Sequence, residues 1–253
     1  MPGAAVIETD FAGPIARITI RNEAKLNSLG SAALEALAEA FRAVPEAARA
    51  VVLTGAGGRA FIGGADIREM AALPSPEAAR AFILRIHRLC RAIRDCPKPV
   101  IARIEGYCLG AGLEIAAACD LRIAAPSARF GMPEVRIGMP SVVEAALLPG
   151  LIGWGRTRRL LLLGETIGAE EAERWGLIER LAEDLDAAVA ECCALIMEAG
   201  PEAIRAQKRL IRAWEDLPVS AAIAAGIDAY EEAWRGEEPR RMTAAFLARR
   251  RRG

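Results

Sequence analysis

Val100-Ile101-Ala102-Arg103-Ile104, then Gly106-Tyr107-Cys108-Leu109-Gly110-Ala111-Gly112, then Leu113-Glu114-Ile115-Ala116-Ala117-Ala118 and Leu121-Arg122-Ile123-Ala124 follow one another almost without a break. The first run is apolar and follows Pro97 and Pro99, so it reads as a buried strand. The glycine-rich stretch from Gly106 to Gly112 reads as a turn that leads into a short apolar helix through Ala118. Leu121 to Ala124 reads as the next strand. Strand, turn, helix and strand in that order predict a largely parallel α/β core.

The same alternation holds upstream. Ile15 to Ile20 alternates in part and reads as a strand. A helix is expected from Ser31 to Val44, with Ser31 as N-cap and Leu34, Leu37, Ala38 and Phe41 on its buried face. Ala50 to Thr54 is a short apolar run ended by Gly55, again a buried strand. Gly57-Gly58 and Gly63-Gly64 mark a loop of unusual backbone freedom. Pro76 to Arg94 reads as a long helix, and Ala128 to Pro133 is strand-like. From Ser141 onward the pattern is helical almost throughout, punctuated by Gly164, Gly176, Gly200 and Gly236. The division falls near residue 200, giving an α/β core over 1–200 and a helical region over 201–253.

Composition narrows the function classes. The 253 residues are 53% apolar, which supports a sizeable core and argues against disorder. Lys+Arg and Asp+Glu are 33 each, so no net charge draws the chain to nucleic acid or an acidic membrane. Six cysteines, at 90, 96, 108, 119, 192 and 193, lack metal-type spacing. With no apolar signal region and no membrane-length apolar run, a cytoplasmic protein with reduced thiols is expected. The single histidine, His87, excludes chemistry that needs two imidazoles, and a structural or surface role is expected for it.

Two glycine loops and two glutamates carry the chemistry. Phe61-Ile62-Gly63-Gly64-Ala65-Asp66-Ile67 follows a strand, as does Gly106 to Glu114. Glycines there let backbone N–H groups turn toward a ligand, and a helix beginning near Ala111 adds its positive end. One amide from each loop would hold a developing negative oxygen; loss of such a donor costs about 3–4 kcal/mol. Ordinary strand-to-helix turns explain each loop equally well in isolation. The spacing of Gly106, Gly110 and Gly112 is not that of a dinucleotide or P-loop cradle. Glu114 sits among apolar neighbours, where a carboxylate is costly to bury, and Glu134 follows the strand-like Ala128 to Pro133. Such a pair can divide acid and base roles; solvated glutamates at helix ends are the simpler alternative.

Taken together, three segments resemble the spaced signatures of the enoyl-CoA hydratase/isomerase (crotonase) superfamily, most closely its enoyl-CoA hydratases. They are Phe61 to Ile67, Gly106 to Asp120, and Phe130-Gly131-Met132-Pro133-Glu134, with 20 residues from Glu114 to Glu134. The resemblance runs from the Asn22–Leu29 loop to the helical end. It implies an α/β spiral of ββα repeats with a C-terminal helical trimerisation region, and a homotrimer or dimer of trimers. It implies an acyl-CoA thioester as substrate, with coenzyme A part of that substrate, and neither a separate cofactor nor a metal.

By the same resemblance the N–H groups of Ala65 and Ala111 hold the thioester oxygen, where the family often has glycine at the second position. Glu114 activates water for attack at C3 and Glu134 delivers a proton to C2. Lys25, Leu26, Gly64, Ala65, Asp66, Ile67, Arg68, Gly110 and Ala111 match segments that contact the substrate or its coenzyme A. The resemblance also offers the tail from Phe246 to Arg252 as a hold on a neighbouring subunit's nucleotide; a plain solvated basic terminus is the alternative. The chain departs from the pattern after Gly138. Bulky Val142 and Val143 and the extra carboxylate Glu144 stand where hydratases carry glycines, so Val142 and Glu144 are candidate pocket residues. A first-turn glutamate behind a Ser141 cap is the alternative for Glu144. A Δ3-Δ2-enoyl-CoA isomerase or another lyase of the family is the alternative activity, and an RNA-binding member of the fold a more distant one. The first helix carries only Arg42, which argues against a basic RNA face there.

Overall fold

The computed structural model describes residues 3–250. The chain opens with the antiparallel strands β1 (Val6–Asp10) and β2 (Ile15–Arg21) and helix α1 (Ser31–Arg42). There follow β3 (Ala50–Gly55), β4 (Ala60–Ile62), α2 (Ile67–Ala71), α3 (Pro76–Asp95), β5 (Val100–Ile104), β6 (Tyr107–Leu109) and α4 (Ala111–Ala118). The core closes with β7 (Leu121–Ala124), β8 (Arg129–Gly131), α5 (Leu148–Leu163), β9 (Thr166–Gly168), α6 (Ala169–Trp175), β10 (Arg180–Leu181) and α7 (Leu185–Glu198). Three further helices complete the chain: α8 (Pro201–Asp216), α9 (Val219–Arg235) and α10 (Glu238–Arg250).

From β3 to β8 the chain spirals. Each turn gives one strand to a six-stranded sheet, order β1-β2-β3-β5-β7-β10, and one to a four-stranded sheet, order β4-β6-β8-β9, before a helix returns it. Pairing is parallel from β2 to β10 and from β4 to β8, and antiparallel at β1–β2 and β8–β9. This is the repeated ββα architecture that the family resemblance implies.

The apolar strand runs have a simple cause. Successive side chains of a strand face opposite sides of its sheet. Val51, Leu53, Val100, Ala102 and Ile104 face the main core. Val52, Ile101 and Ile123 pack on the other side, with Leu185, Ala188 and Val189 of α7. Both faces are covered, so the strands read as continuous rather than alternating apolar runs. Helix α3 starts on Pro76 behind Ser75, whose Oγ accepts the Ala78 N–H at 3.2 Å. Phe82, Ile86, Leu89, Cys90 and Ile93 form its buried stripe.

Several local expectations change. Ser31 is not the N-cap of α1; Gly30 is, in extended conformation. Glu69 reaches across from α2 and takes the Ser31 N–H at 3.0 Å and its hydroxyl, so a carboxylate remote in sequence replaces the local cap. The turn from Gly106 to Gly112 contains strand β6, and the loop before Gly63 contains β4. Ser141 caps nothing: its hydroxyl donates to Glu134 Oε2 at 2.8 Å. The helical stretch after Ser141 begins with a 3-10 turn at Val143, and α5 behind it is broken at Gly153 (φ 76°).

Candidate active site

Helix α4 is buried along its whole length, so its one carboxylate, Glu114, is carried into the interior with 4% of its surface exposed. Arg122, itself buried, fixes the far end of α4 by donating to Ala116 O at 3.2 Å and Cys119 O at 2.8 Å, and it pairs with Glu179. The near end of α4 opens on a cavity of about 430 Å³. Gly64, Ala65, Ile67, Gly110, Ala111, Glu114, Glu134 and Val142 all line it. Phe82, Ile83 and Ile86 of α3, with Met70 and Met139, make the rest of the wall mostly apolar.

Both glycine loops bring amides to this wall. Gly64 (φ 119°) turns the chain after β4, and the next residue, Ala65, bridges to Leu29. Within that bridge Leu29 donates to Gly64 O and Asp66 to Leu29 O, which leaves the Ala65 N–H outside the pairing. Gly110 (φ 52°, ψ −121°) turns the chain after β6, and Ala111 is the first residue of α4, where N–H groups have no helical acceptor. Among the described residues neither the Ala65 nor the Ala111 N–H donates within the chain. The structure thus joins two unpaired donors, 46 positions apart in sequence, in one cavity.

The carboxyl groups differ in setting. Burial pushes Glu114 up to about 8, with the charges of Glu134 and then Glu144 adding to it. The N–H groups of Ala145 and Val142 act in the opposite sense. Glu134 sits in the 3-10 turn Pro133–Ile137, half-buried, with its Oε1 directly over Gly110 and its Oε2 on Ser141. A buried, proton-retaining carboxyl facing a second carboxyl suits a pair that works with one proton between them.

Other sequence candidates lie elsewhere. Lys25, Leu26, Asp66 and Arg68 are not in the cavity wall. Lys25 Nζ donates to Asp66 Oδ2 at 2.9 Å, and this bond is the main cause that holds Asp66 below the usual carboxylate range. Asp66 caps α2 by accepting the Arg68 and Glu69 N–H groups, while Arg68 is exposed. Leu26 and Asn27 take left-handed backbone (φ 53° and 55°), held by the fully buried Asn27, whose amide donates to Ala56 O and Ala60 O. Val142 lines the cavity but Glu144 does not. The chain enters a 3-10 turn at Val143, which carries Glu144 away from the cavity toward His87 of α3. His87 therefore does more than decorate the surface. In the tail, Arg251 and Arg252 lie outside the described residues, and Phe246 is exposed on α10.

Sequence reasoning missed Asn27, Arg122 and the Ser141–Glu134 contact. The signals were weak: a polar residue inside the Lys25–Asn27 motif, an arginine in an apolar strand, a serine after a proline. On the helix Pro76–Asp95, three arginines are answered by carboxylates: Arg85 by Glu35, Arg91 by Asp95 and Arg94 by Glu215. Among the described residues no helix is long and apolar enough to cross a membrane.

Comparison with known proteins gives the family. Residues 10–252 match the model of the enoyl-CoA hydratase/isomerase family. A short-chain-enoyl-CoA hydratase of Clostridium acetobutylicum is 33% identical over 94% of this chain and 93% of its own. A crotonyl-CoA hydratase of Syntrophomonas wolfei is 33% identical over 93% and 92%. Among solved structures, the enoyl-CoA hydratase of Bacillus anthracis superposes with a TM-score of 0.91 at 32% identity, covering 96% of each chain. The spiral fold, the three spaced motifs and near full-length similarity together make this chain a member of the enoyl-CoA hydratase/isomerase family.

Proposed function

We propose that the protein adds water across the 2,3 double bond of a 2-enoyl-CoA thioester. The observation that carries the reading is the meeting of two unpaired N–H groups, Ala65 and Ala111, with two carboxyl groups, Glu114 and Glu134, in one apolar cavity. The amides would accept the thioester oxygen and the negative charge that moves onto it when C3 is attacked. Ionised Glu114 takes a proton from water as the oxygen bonds to C3. Glu134 gives its proton to C2, and a proton returning from Glu114 to Glu134 resets the pair. The water supplies both added groups, so no redox partner is required. A wall of Phe82, Ile83, Ile86 and Val142 suits a short to medium apolar acyl chain. Lys25, Leu26, Asp66, Ile67 and Arg68 are assigned to the coenzyme A moiety. The helices after residue 200 form the associating region of a homotrimer or a dimer of trimers.

The test is a spectrophotometric hydration assay on enoyl-CoA thioesters of rising chain length, beginning with crotonyl-CoA. Wild type should hydrate them, and Glu114→Gln and Glu134→Gln should each lose at least a hundredfold in kcat. Because the pair works with one proton between its two carboxyls, kcat/KM should fall about tenfold per pH unit above 8, where that last proton leaves. A profile flat through pH 8 would mean that the proton held by the pair takes no part in the reaction. Retained isomerisation of a 3-enoyl-CoA by Glu114→Gln, without hydration by wild type, would move the reading to the isomerase.

A further inference from the structure

Behind Glu114, on the side away from the substrate cavity, lies a second group of ionisable side chains. Glu144 is 7% exposed, and its Oε1 meets His87 Nδ1 at 2.9 Å. Its Oε2 is buried without a hydrogen-bond partner. The group nearest at hand there is the Cys90 thiol, a weak donor, so holding this carboxylate in the interior is costly and calls for an explanation beyond packing. The His87 side chain is 46% exposed and, with Leu84, Arg94 and Val143, borders a separate cavity open to solvent. The backbone points the same way. Val142 and Ala145, whose N–H groups act on the Glu114 carboxyl, flank Glu144 on either side in one 3-10 turn, entered through Val143 at φ 41°.

We propose that Glu144 and His87 are a positioning pair for Glu114: they anchor the turn beside its carboxyl and link that turn to a solvent-facing imidazole. The groups around the pair are few. Helix α4 contributes Glu114, and α3 contributes His87, the Cys90 thiol beside Glu144, and Arg94, which is engaged by Glu215 of α8. The arginines of α5 face elsewhere: Arg156 donates to Trp175 O, Arg158 lies over Trp154, and Arg159 binds Glu165 and Glu171. Among the described residues, His87 is the one side chain of these helices that bonds the Glu144 carboxylate. The negative charge of Glu144 therefore reaches Glu114 across the protein interior, where it is weakly screened. This deepens the hydratase reading and depends on it for its kinetic arm alone.

The test begins without substrate. The Glu114 carboxyl carbon is followed by NMR on 13C-glutamate-labelled protein, assigned by its loss in Glu114→Gln. In wild type it should titrate near 8. In Glu144→Gln, which keeps the shape and removes the charge, its midpoint should fall by about one pH unit. The alkaline limb of kcat/KM should move by the same amount. His87→Ala should lower kcat several-fold at unchanged KM, and His87→Asn, which keeps a donor for Glu144, should restore most of it. His87 is half-exposed, so its variants test the idea should Glu144→Gln fail to fold. A Glu114 midpoint unmoved in Glu144→Gln, or a His87→Ala enzyme with wild-type kcat, overturns the proposal. Absence of hydration in wild type overturns only the hydratase reading, because the NMR titration still reports on the pair.

Discussion

Glu114 illustrates what a single residue costs the fold and returns to the site. In an unfolded chain its carboxyl ionises near 4.5, whereas in the folded protein it keeps its proton to about 8. Below 4.5 both states are protonated and burial of the group carries no linked penalty. As pH rises from 4.5 to 8 the unfolded state alone loses its proton, so stability falls through that window and the penalty is complete above 8. Glu114→Gln removes the ionisable group. It should therefore stabilise the protein at pH 9, by on the order of 5 kcal/mol, and change little at pH 4. Denaturant unfolding at the two pH values checks this; equal effects at both would mean that Glu114 ionises normally in the folded state. The sequence made this residue conspicuous, as a carboxylate in an apolar helix, but not its neighbours. Glu134 and Glu144 reach it through turns whose geometry depends on Gly138 (φ 76°) and Val143, and no local pattern encodes those approaches.

At the scale of elements, the long strands and helices were readable because each buries a stripe that its own period exposes. Helix α3 differs from the expected Pro76 to Arg94 by one residue at its end. The three-residue strands β4, β6 and β9 were not readable. Each is too short to show a period of two, and each exists through pairing with remote residues, as Tyr107 with Arg129 and Phe130 with Ile167. Yet these strands aim the site, because the loop after β6 must turn through Gly110 to start α4. A side chain at that position meets two obstacles. The backbone conformation is one that L-residues avoid, and a Cβ would collide with Glu134 Oε1. Gly110→Ala should cost about 1–3 kcal/mol of stability and, by displacing Glu134 and the Ala111 amide, roughly a hundredfold in kcat. Unfolding curves and initial rates on the same preparation separate the two effects. Wild-type kcat in a folded Gly110→Ala would detach Glu134 from the chemistry.

At the scale of the whole molecule, the helical region beyond residue 200 divides in two. Helix α8 is tied to the core by ion pairs: Lys208 with Asp120 and Arg212 with Asp95, besides Arg94 with Glu215. Asp120 ends the second motif and also accepts the Val100 N–H at 2.6 Å, so α8 clasps the strand and helix that frame Glu114. Helix α9 has no such attachment for one of its faces. Ile223, Ile227 and Tyr230, spaced at four and three residues, are 60%, 65% and 69% exposed and border an apolar groove with Trp214. Each such side chain gains about 1.5–3 kcal/mol when buried, so three in a row favour association over solvation. Self-association through this face predicts that the purified protein sediments as more than one chain, and that Ile227→Glu shifts it toward monomer at micromolar concentration. The consequence for activity follows from the clasp. Because α8 is held by its own core, the dissociated Ile227→Glu protein should keep a folded active-site cavity and fail first in thermal stability. Loss of activity at full thermal stability would instead mean that a neighbouring subunit completes the site.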